Sequence, residues 1–241
     1  MQLQQTHRYD HACPFRSGGN TKSFPISRFK AQRSKFSGNI SKPFCKATQR
    51  FFREMLYGIQ ASQYVKLSNI GRSLKEDIPL IKTEDRLSRN LSKEDFSDHI
   101  NTTIIRLADD KITDDMVISI DPGDIMKPYA KAMENLCGVW DGSEAEGAQG
   151  YHLCQVTAAN LEHNKIVPLY CEAYSSKEEG YVSSIEKVKA VISKVIKKTG
   201  THGVWAIDRM GDCDDIINHF ASNELRFVTR GHGYQHTHLV N

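Results

Sequence analysis

Two aspartates close short apolar runs: Asp121 follows Met116-Val117-Ile118-Ser119-Ile120, and Asp208 follows Val204-Trp205-Ala206-Ile207. A carboxylate at the mouth of a buried strand is held by the strand's hydrogen-bond ladder and is aimed at one place. Two of them converging from neighbouring strands offer hard oxygen ligands that suit Mg²⁺ or Mn²⁺. Two such ions ~3.5–4 Å apart can activate water or a 3′ hydroxyl on one side of a phosphodiester and stabilise the leaving oxygen on the other. The predicted chemistry is in-line phosphoryl transfer on DNA. A plainer reading exists, because Asp121-Pro122-Gly123-Asp124 is an ordinary turn string.

The elements that would position these carboxylates are legible in the second half of the chain. Residues 116–120, 150–159 and 165–173 read as strands, with residues 160–164 as the turn between the last two. A helix follows, in which Ile185, Val188, Val191, Ile192, Val195 and Ile196 share one stripe. Ser183 and Glu186 have capping-box spacing, Lys197 and Lys198 suit the negative end, and Gly200 ends the helix. Residues 203–207 read as a strand, 212–221 as a short helix and 224–230 as a last strand. Three strands, a helix, a strand, a helix and a strand is the order of an α/β fold with a ribonuclease H-like mixed sheet and flanking helices. In that topology the first and fourth strands are neighbours, so Asp121 and Asp208 share a site although they are 87 positions apart.

The first half is helical. Residues 1–40, rich in Gln, Ser, Asn and basic residues, are expected to form a flexible basic arm, residues 41–112 a small all-α DNA-binding domain, and residues 113–241 a partial catalytic domain. Phe51, Phe52, Met55, Leu56 and Ile59 share a helical face, and Leu67, Ile70 and Leu74 follow on a second helix with Ser68 available as its cap. Pro79 marks a break before an amphipathic helix over residues 80–91, and Phe96, Ile100, Ile104 and Leu107 make a last one. The compact middle turn suggests a helix-turn-helix reader in which Lys82, Arg86 and Arg89 approach phosphates or guanine edges while Lys66 and Arg72 brace the backbone. A solvated Lys/Arg face without a ligand is the competing reading. Charge supports a division of labour. Residues 1–50 carry ten Lys/Arg against one acid, residues 51–113 ten against ten, and residues 114–241 twelve against eighteen. Phosphates would attract the basic front and cations the acidic body.

Other function classes are excluded or receive bland assignments. No apolar run approaches the ~20 residues of a membrane span, and the start lacks a signal-peptide pattern. A cytoplasmic, nucleoid-associated protein is expected. The six cysteines form no CxxC pair and read as reduced, buried or partly buried thiols. His232, His236 and His238 read as a frayed tail rather than a metal cage, and Trp140 and Trp205 as packing residues rather than base-stacking platforms.

The strings "FFREMLYGIQAS", "VKLSNIGRSL", "TEDRLSRNL", "VISIDPGDIMKPYAKAMENL", "VWDGSE", "GYHL" and "VWAIDRMGD…FVTR" resemble the DDE-class transposases of bacterial insertion sequences, over roughly residues 40–230. The resemblance implies that Asp121 is the first catalytic aspartate, bridging two Mg²⁺ (or Mn²⁺) ions, and that Asp208 is the second, binding one of them. Arg209 would contact a phosphate beside them, and Asp212 would cap the following helix. It further implies that the N-terminal helices bind transposon ends and that the partners are end and target DNA, held by a homodimer in a synaptic complex. The family's third acid, a Glu in a Tyr-x-x-Arg-x-x-x-Glu-x-x-x-x-x-x-Lys string, has no counterpart here. Glu224, the only acid after Asp215, begins a predicted strand, and "GHGYQHTHLVN" departs from the family. The expectation is a truncated transposase of weak or no activity. The alternative is a non-catalytic DNA-binding product that inhibits the full-length enzyme.

Overall fold

The computed structural model describes residues 26–141, 146–160 and 162–230. Residues 1–25 of the expected arm, and the tail with His232, His236 and His238, lie outside the described residues. Five helices open the described chain: α1 (Ile26–Ser41), α2 (Lys46–Ser62), α3 (Leu67–Leu74), α4 (Leu80–Leu91) and α5 (Ser97–Ala108). The apolar stripes expected of them meet in one cluster, where Phe51, Phe52, Ile70, Leu87 and Phe96 are buried. Aromatic edges do much of this packing, with Phe52 and Phe96 at 5.0 Å and Phe44 and Phe96 at 5.4 Å between ring centroids.

Helix α1 corrects the expected arm, since helical structure begins at residue 26 rather than 41. Ile40 joins the aromatic cluster, and its carbonyl meets His99 Nε2 of α5 at 2.7 Å. The apolar residues of α1 are too sparse to write a full stripe, and its inward face instead buries Ser37 and Ser41 beside Ile40. Helix α3 is capped by the backbone of Lys66, without a side-chain cap, and not by Ser68.

Gly58 of α2 lets α3 approach closely, because a Cβ there would run into the Ile70 Cγ2 methyl. Overpacking costs about 1–3 kcal/mol, while the better helix propensity of Ala returns about 1 kcal/mol. A Gly58→Ala protein is therefore expected to lose about 1 kcal/mol, read as a lower urea midpoint with an unchanged slope.

The sheet follows: β1 (Val117–Met126), β2 (Cys137–Asp141), β3 (Glu146–Asn160) and β4 (Lys165–Tyr174), then α6 (Ser184–Thr199), β5 (Val204–Ile207), α7 (Asp214–Ser222) and β6 (Phe227–Thr229). It is a six-stranded mixed sheet of order β2-β3-β1-β5-β6, with β4 also pairing β3. The β1–β3, β2–β3 and β3–β4 pairs are antiparallel, and β5 is parallel to both β1 and β6. Strand β2 adds an element to the expected order. Its five residues were too few to show a period, although Cys137 and Val139 are buried and alternate with Gly138 and Trp140.

Strand β1 runs straight through Asp121-Pro122-Gly123-Asp124, so this string is not a turn. Proline tolerates a strand where its missing N–H faces an unpaired edge. That condition holds at Pro122, because β1 pairs with β3 through Met126 on one side while its pairing with β5 ends at Ile120 and Ile207 on the other.

Helix α6 begins at Ser183, whose side chain accepts from Glu186 N at 3.1 Å, and ends at Gly200 with φ 70°, as the sequence indicated. Its stripe of Val188, Val191, Ile192 and Val195 packs with Ile118, Ile120, Val156, Trp205 and Ile207 in one core. Trp205 is fully buried, as expected, whereas Trp140 is 60% exposed. Helix α5 serves both cores. Its N-cap Phe96 and Ile100 face the aromatic cluster, while Ile105 and Ala108 enter the sheet core. Asn101 clamps β4 by donating to Cys171 O at 2.9 Å and accepting from Cys171 N at 3.0 Å, which satisfies the outer edge of that strand there.

The five cysteines among the described residues are free. Cys137 and Cys154 are buried and Cys213 partly so, but Cys45 and Cys171 are exposed, contrary to expectation. Among the described residues no helix is long and apolar enough to cross a membrane.

Candidate active site

Parallel pairing sets Val117 opposite Val204, Ile118 opposite Trp205 and Ile120 opposite Ile207. Asp121 and Asp208 are the next residue on each strand, so the pairing brings them to equivalent positions on adjacent strands. Side chains alternate along a strand, and here Ile118, Ile120, Trp205 and Ile207 face the buried side while Ser119, Asp121 and Asp208 are exposed. Both carboxylates line one open cleft with Ser119, Thr229 and Arg230.

The backbone after β5 is tightly fixed. Asp208 Oδ1 accepts from Met210 N at 3.0 Å, and its carbonyl accepts from Gly211 N at 2.9 Å and Thr229 Oγ1 at 3.0 Å. These contacts define where the Asp208 carboxylate sits. Asp121 makes no side-chain hydrogen bond or ion pair among the described residues. A carboxylate with unspent acceptor capacity at the solvent boundary keeps its lone pairs for a cation or a donor.

Thr229 and Arg230 were not singled out from the sequence. The parallel pairing of Ile207 with Thr229 carries them to the cleft. Their only signal in the chain was the basic end of an apolar run. Across the sheet, burial and then the neighbouring Glu172 carboxylate push the Cys154 thiol up to about 12. Cys154 therefore remains a thiol at neutral pH and leaves the oxygen-donor character of the site unchanged.

Two expectations beside the cleft are altered. The N-cap of α7 is Cys213, so Asp212 precedes the cap position rather than filling it. The side chain of Arg209 lies outside the described residues. Among the described residues no group of three or more His, Cys, Asp or Glu forms a metal cluster, so the candidate site rests on a pair of carboxylates.

The basic residues of the helical half expected to meet DNA separate into two kinds, and none of these five lines the cleft. Lys66, Arg72, Lys82 and Arg89 are exposed on α3, α4 and the turn before α3. Arg72 reaches Asn69 Oδ1 at 3.2 Å, and Arg89 Nε reaches Asp85 O at 3.2 Å. Arg86 is engaged within the helical half. Its guanidinium bridges the Glu54 carboxylate of α2 and the Glu76 carboxylate before α4, the latter at 2.6 Å. Arg50 completes a four-charge ring at 2.5 Å from Glu54 and 2.6 Å from Glu76, and Thr83 donates to Glu76 at 2.9 Å. Burial raises the Glu76 carboxyl, but hydrogen bonds from Thr83 and Arg86 and the charges of Arg86 and Arg50 outweigh it and hold the carboxyl below its ordinary value. Amphipathic periodicity placed Arg86 on an outer face, and the fold of α2 beside α4 supplied the acids that close over it.

No family model matches the chain, and no curated protein matches it. Among solved structures, it is similar to a Ciona intestinalis endonuclease V in complex with a 23mer DNA containing an inosine followed by a ribo-adenosine. The identity is 12% and the TM-score 0.27. The likeness covers 56% of this chain and 57% of that one, so the chain spans just over half the length of that structure. At that TM-score the likeness carries neither fold nor activity across.

Proposed function

We propose that this chain is a transposase of the DDE class that carries two of that class's three acids and performs metal-dependent phosphoryl transfer on DNA only weakly, on a ribonuclease H-like sheet preceded by a helical DNA-binding region. The observation that carries the reading is the placement of Asp121 and Asp208 side by side just past the last pair of the parallel β1–β5 ladder, over an open cleft. The order β3-β1-β5-β6, with β4 also on β3 and with α6 and α7 in the connections to β5 and β6, supports that reading.

The donor set fits Mg²⁺ or Mn²⁺, since both ligands are hard carboxylate oxygens at the solvent boundary. Asp121 and Asp208 would hold the ion, which when bound supplies Lewis acidity toward a phosphodiester oxygen. Arg230 lines the same cleft and is placed to bind a non-bridging phosphate oxygen. The fixed turn after Asp208 keeps that carboxylate from rearranging as charge develops, which is the value of preorganisation.

Exposed Lys66, Arg72, Lys82 and Arg89 supply the contacts to transposon ends. Binding through them is counterion release, so the logarithm of affinity falls with the logarithm of salt in proportion to the phosphates engaged. A Lys82→Gln/Arg89→Gln protein is expected to show a salt slope shallower by about 2, with the fold unchanged by circular dichroism. An unaltered slope removes α4 from the interface.

The activity test is strand cleavage by the full chain, with Mg²⁺ or Mn²⁺, of duplexes ending in terminal inverted repeats, set against duplexes of unrelated sequence. Preference for such ends supports the reading. Equal or better cleavage of a four-way junction or an RNA/DNA hybrid would replace it with another nuclease activity.

A further inference from the structure

The metal cleft occupies one place on the open face of the sheet, and register identifies what else stands on that face. Asp121 pairs with Gln155, Gly123 with Leu153 and Ile125 with Tyr151 along β1 and β3. Beyond them, Gly138 pairs with Gln149 and Trp140 with Gly147 along β2 and β3. Paired residues share a face and alternate residues return to it, so Asp121 and Trp140 stand on the same side of the sheet.

Trp140 is 60% exposed, whereas the protein's other tryptophan, Trp205, is fully buried. Its cross-strand partner is Gly147, which has no side chain to cover the indole. Its backbone is anchored. Trp140 N donates to Asp124 Oδ2 at 3.0 Å, and Asp124 Oδ1 meets His152 Nδ1 at 2.7 Å. Among the described residues nothing lies within 4 Å of where a Cβ would stand at Gly123, Gly138 or Gly147, so they leave the face beside Trp140 open. Lys127 and Lys131 follow β1 on the connection to β2, with Tyr129 between them 94% exposed.

We propose that Trp140 is a stacking platform for an unpaired base of the DNA strand held at Asp121 and Asp208. The inference rests on the phosphoryl-transfer reading and extends it, because the substrate would be a strand with at least one base free of its partner. Exposed aromatics beside basic residues bind single strands by stacking, since every base offers a π-face. The anchoring through Asp124 fixes the backbone that carries the indole and so reduces the cost of ordering it on binding.

The test uses the full chain in EDTA, where nothing is cleaved, and follows tryptophan emission as a single-stranded oligodeoxynucleotide is added. Buried Trp205 provides a constant background. Saturable quenching is expected, together with affinity, read for every variant from the anisotropy of a dye on the oligomer, about tenfold weaker in Trp140→Ala and partly restored in Trp140→Phe. Gly138→Val enters open space on a strand, so it is expected to fold normally and to weaken the same binding. An abasic oligomer of equal length separates base stacking from phosphate attraction and is expected to bind without quenching. Equal affinity of the Trp140→Ala and unaltered proteins, or equal quenching by the abasic oligomer, would overturn the platform. Metal-dependent cleavage that persists without quenching sinks the platform alone. Quenching by a protein that never cleaves sinks the phosphoryl-transfer reading and leaves the platform standing.

Discussion

Replacing Asp121 with Asn is expected to weaken Mn²⁺ binding by at least about a hundredfold and to remove Mg²⁺-dependent DNA cleavage. Outer-shell partners of a bound metal already cost about 10–100-fold when lost, so a direct ligand sets a higher floor. Asn keeps the size of Asp but gives up one charge and one oxygen. Asp121 is exposed and makes no internal hydrogen bond among the described residues, so the fold gains and loses little. Surface changes of this kind stay within about 0.5 kcal/mol. The same outcome is expected for Asp208→Asn, with a small additional cost where the carboxylate accepts from Met210 N. Manganese paramagnetic resonance reads the affinity directly and does not require turnover. Unchanged Mn²⁺ affinity in both variants would end the assignment of a shared metal site, whatever the cleavage assay gives.

Arg86→Leu is expected to cost about 3 kcal/mol of stability and to leave DNA affinity nearly unaltered once the protein is folded. Breaking one partner of a buried pair costs about 3–5 kcal/mol because the remaining charge is stranded. The groups here keep side-chain exposures of 24% for Arg86, 15% for Glu54 and 20% for Glu76, and Arg50 remains, so the lower end applies. Urea unfolding measures the loss. A normal midpoint combined with a shallower salt slope would return Arg86 to the DNA interface.

The same ring has a pH signature. The folded Glu76 carboxyl lies below its ordinary value, so its contribution is fully present above the unfolded value and is lost as the pH falls through the folded one. Stability should therefore drop on acidification below the ordinary glutamate range. Glu76→Gln should be less stable at neutral pH and should flatten that acid limb. A limb of unchanged steepness in Glu76→Gln would mean that other carboxylates dominate it.

Long periodic elements were legible in the chain because their signal is local. The stripe, cap and terminal glycine of α6 are written within residues 183–200, and the apolar stripes of α2 through α4 appear where expected. The hairpin of β3 and β4 was equally visible from its turn. What escaped depended on partners distant in sequence. Strand β2 exists because β3 offers it a long edge, and five residues alone carry no period. Asp121 to Asp124 is strand rather than turn because β3 continues to pair beyond the end of β5. Arg86 faces acids from α2 and from the turn before α4, which no single-helix projection can place beside it.

For the candidate site, the chain by itself determined the two carboxylates and their position at the ends of apolar runs. Residue type and short-range alternation are local properties, which is why they could be read directly. The tertiary structure decided that β1 and β5 pair in parallel with Asp121 and Asp208 as neighbours, and that Thr229 and Arg230 join their cleft. It also decided that Trp140, 60% exposed, stands on the same face of the sheet. Those facts follow from strand register, and register is set by hydrogen bonds between segments dozens of residues apart.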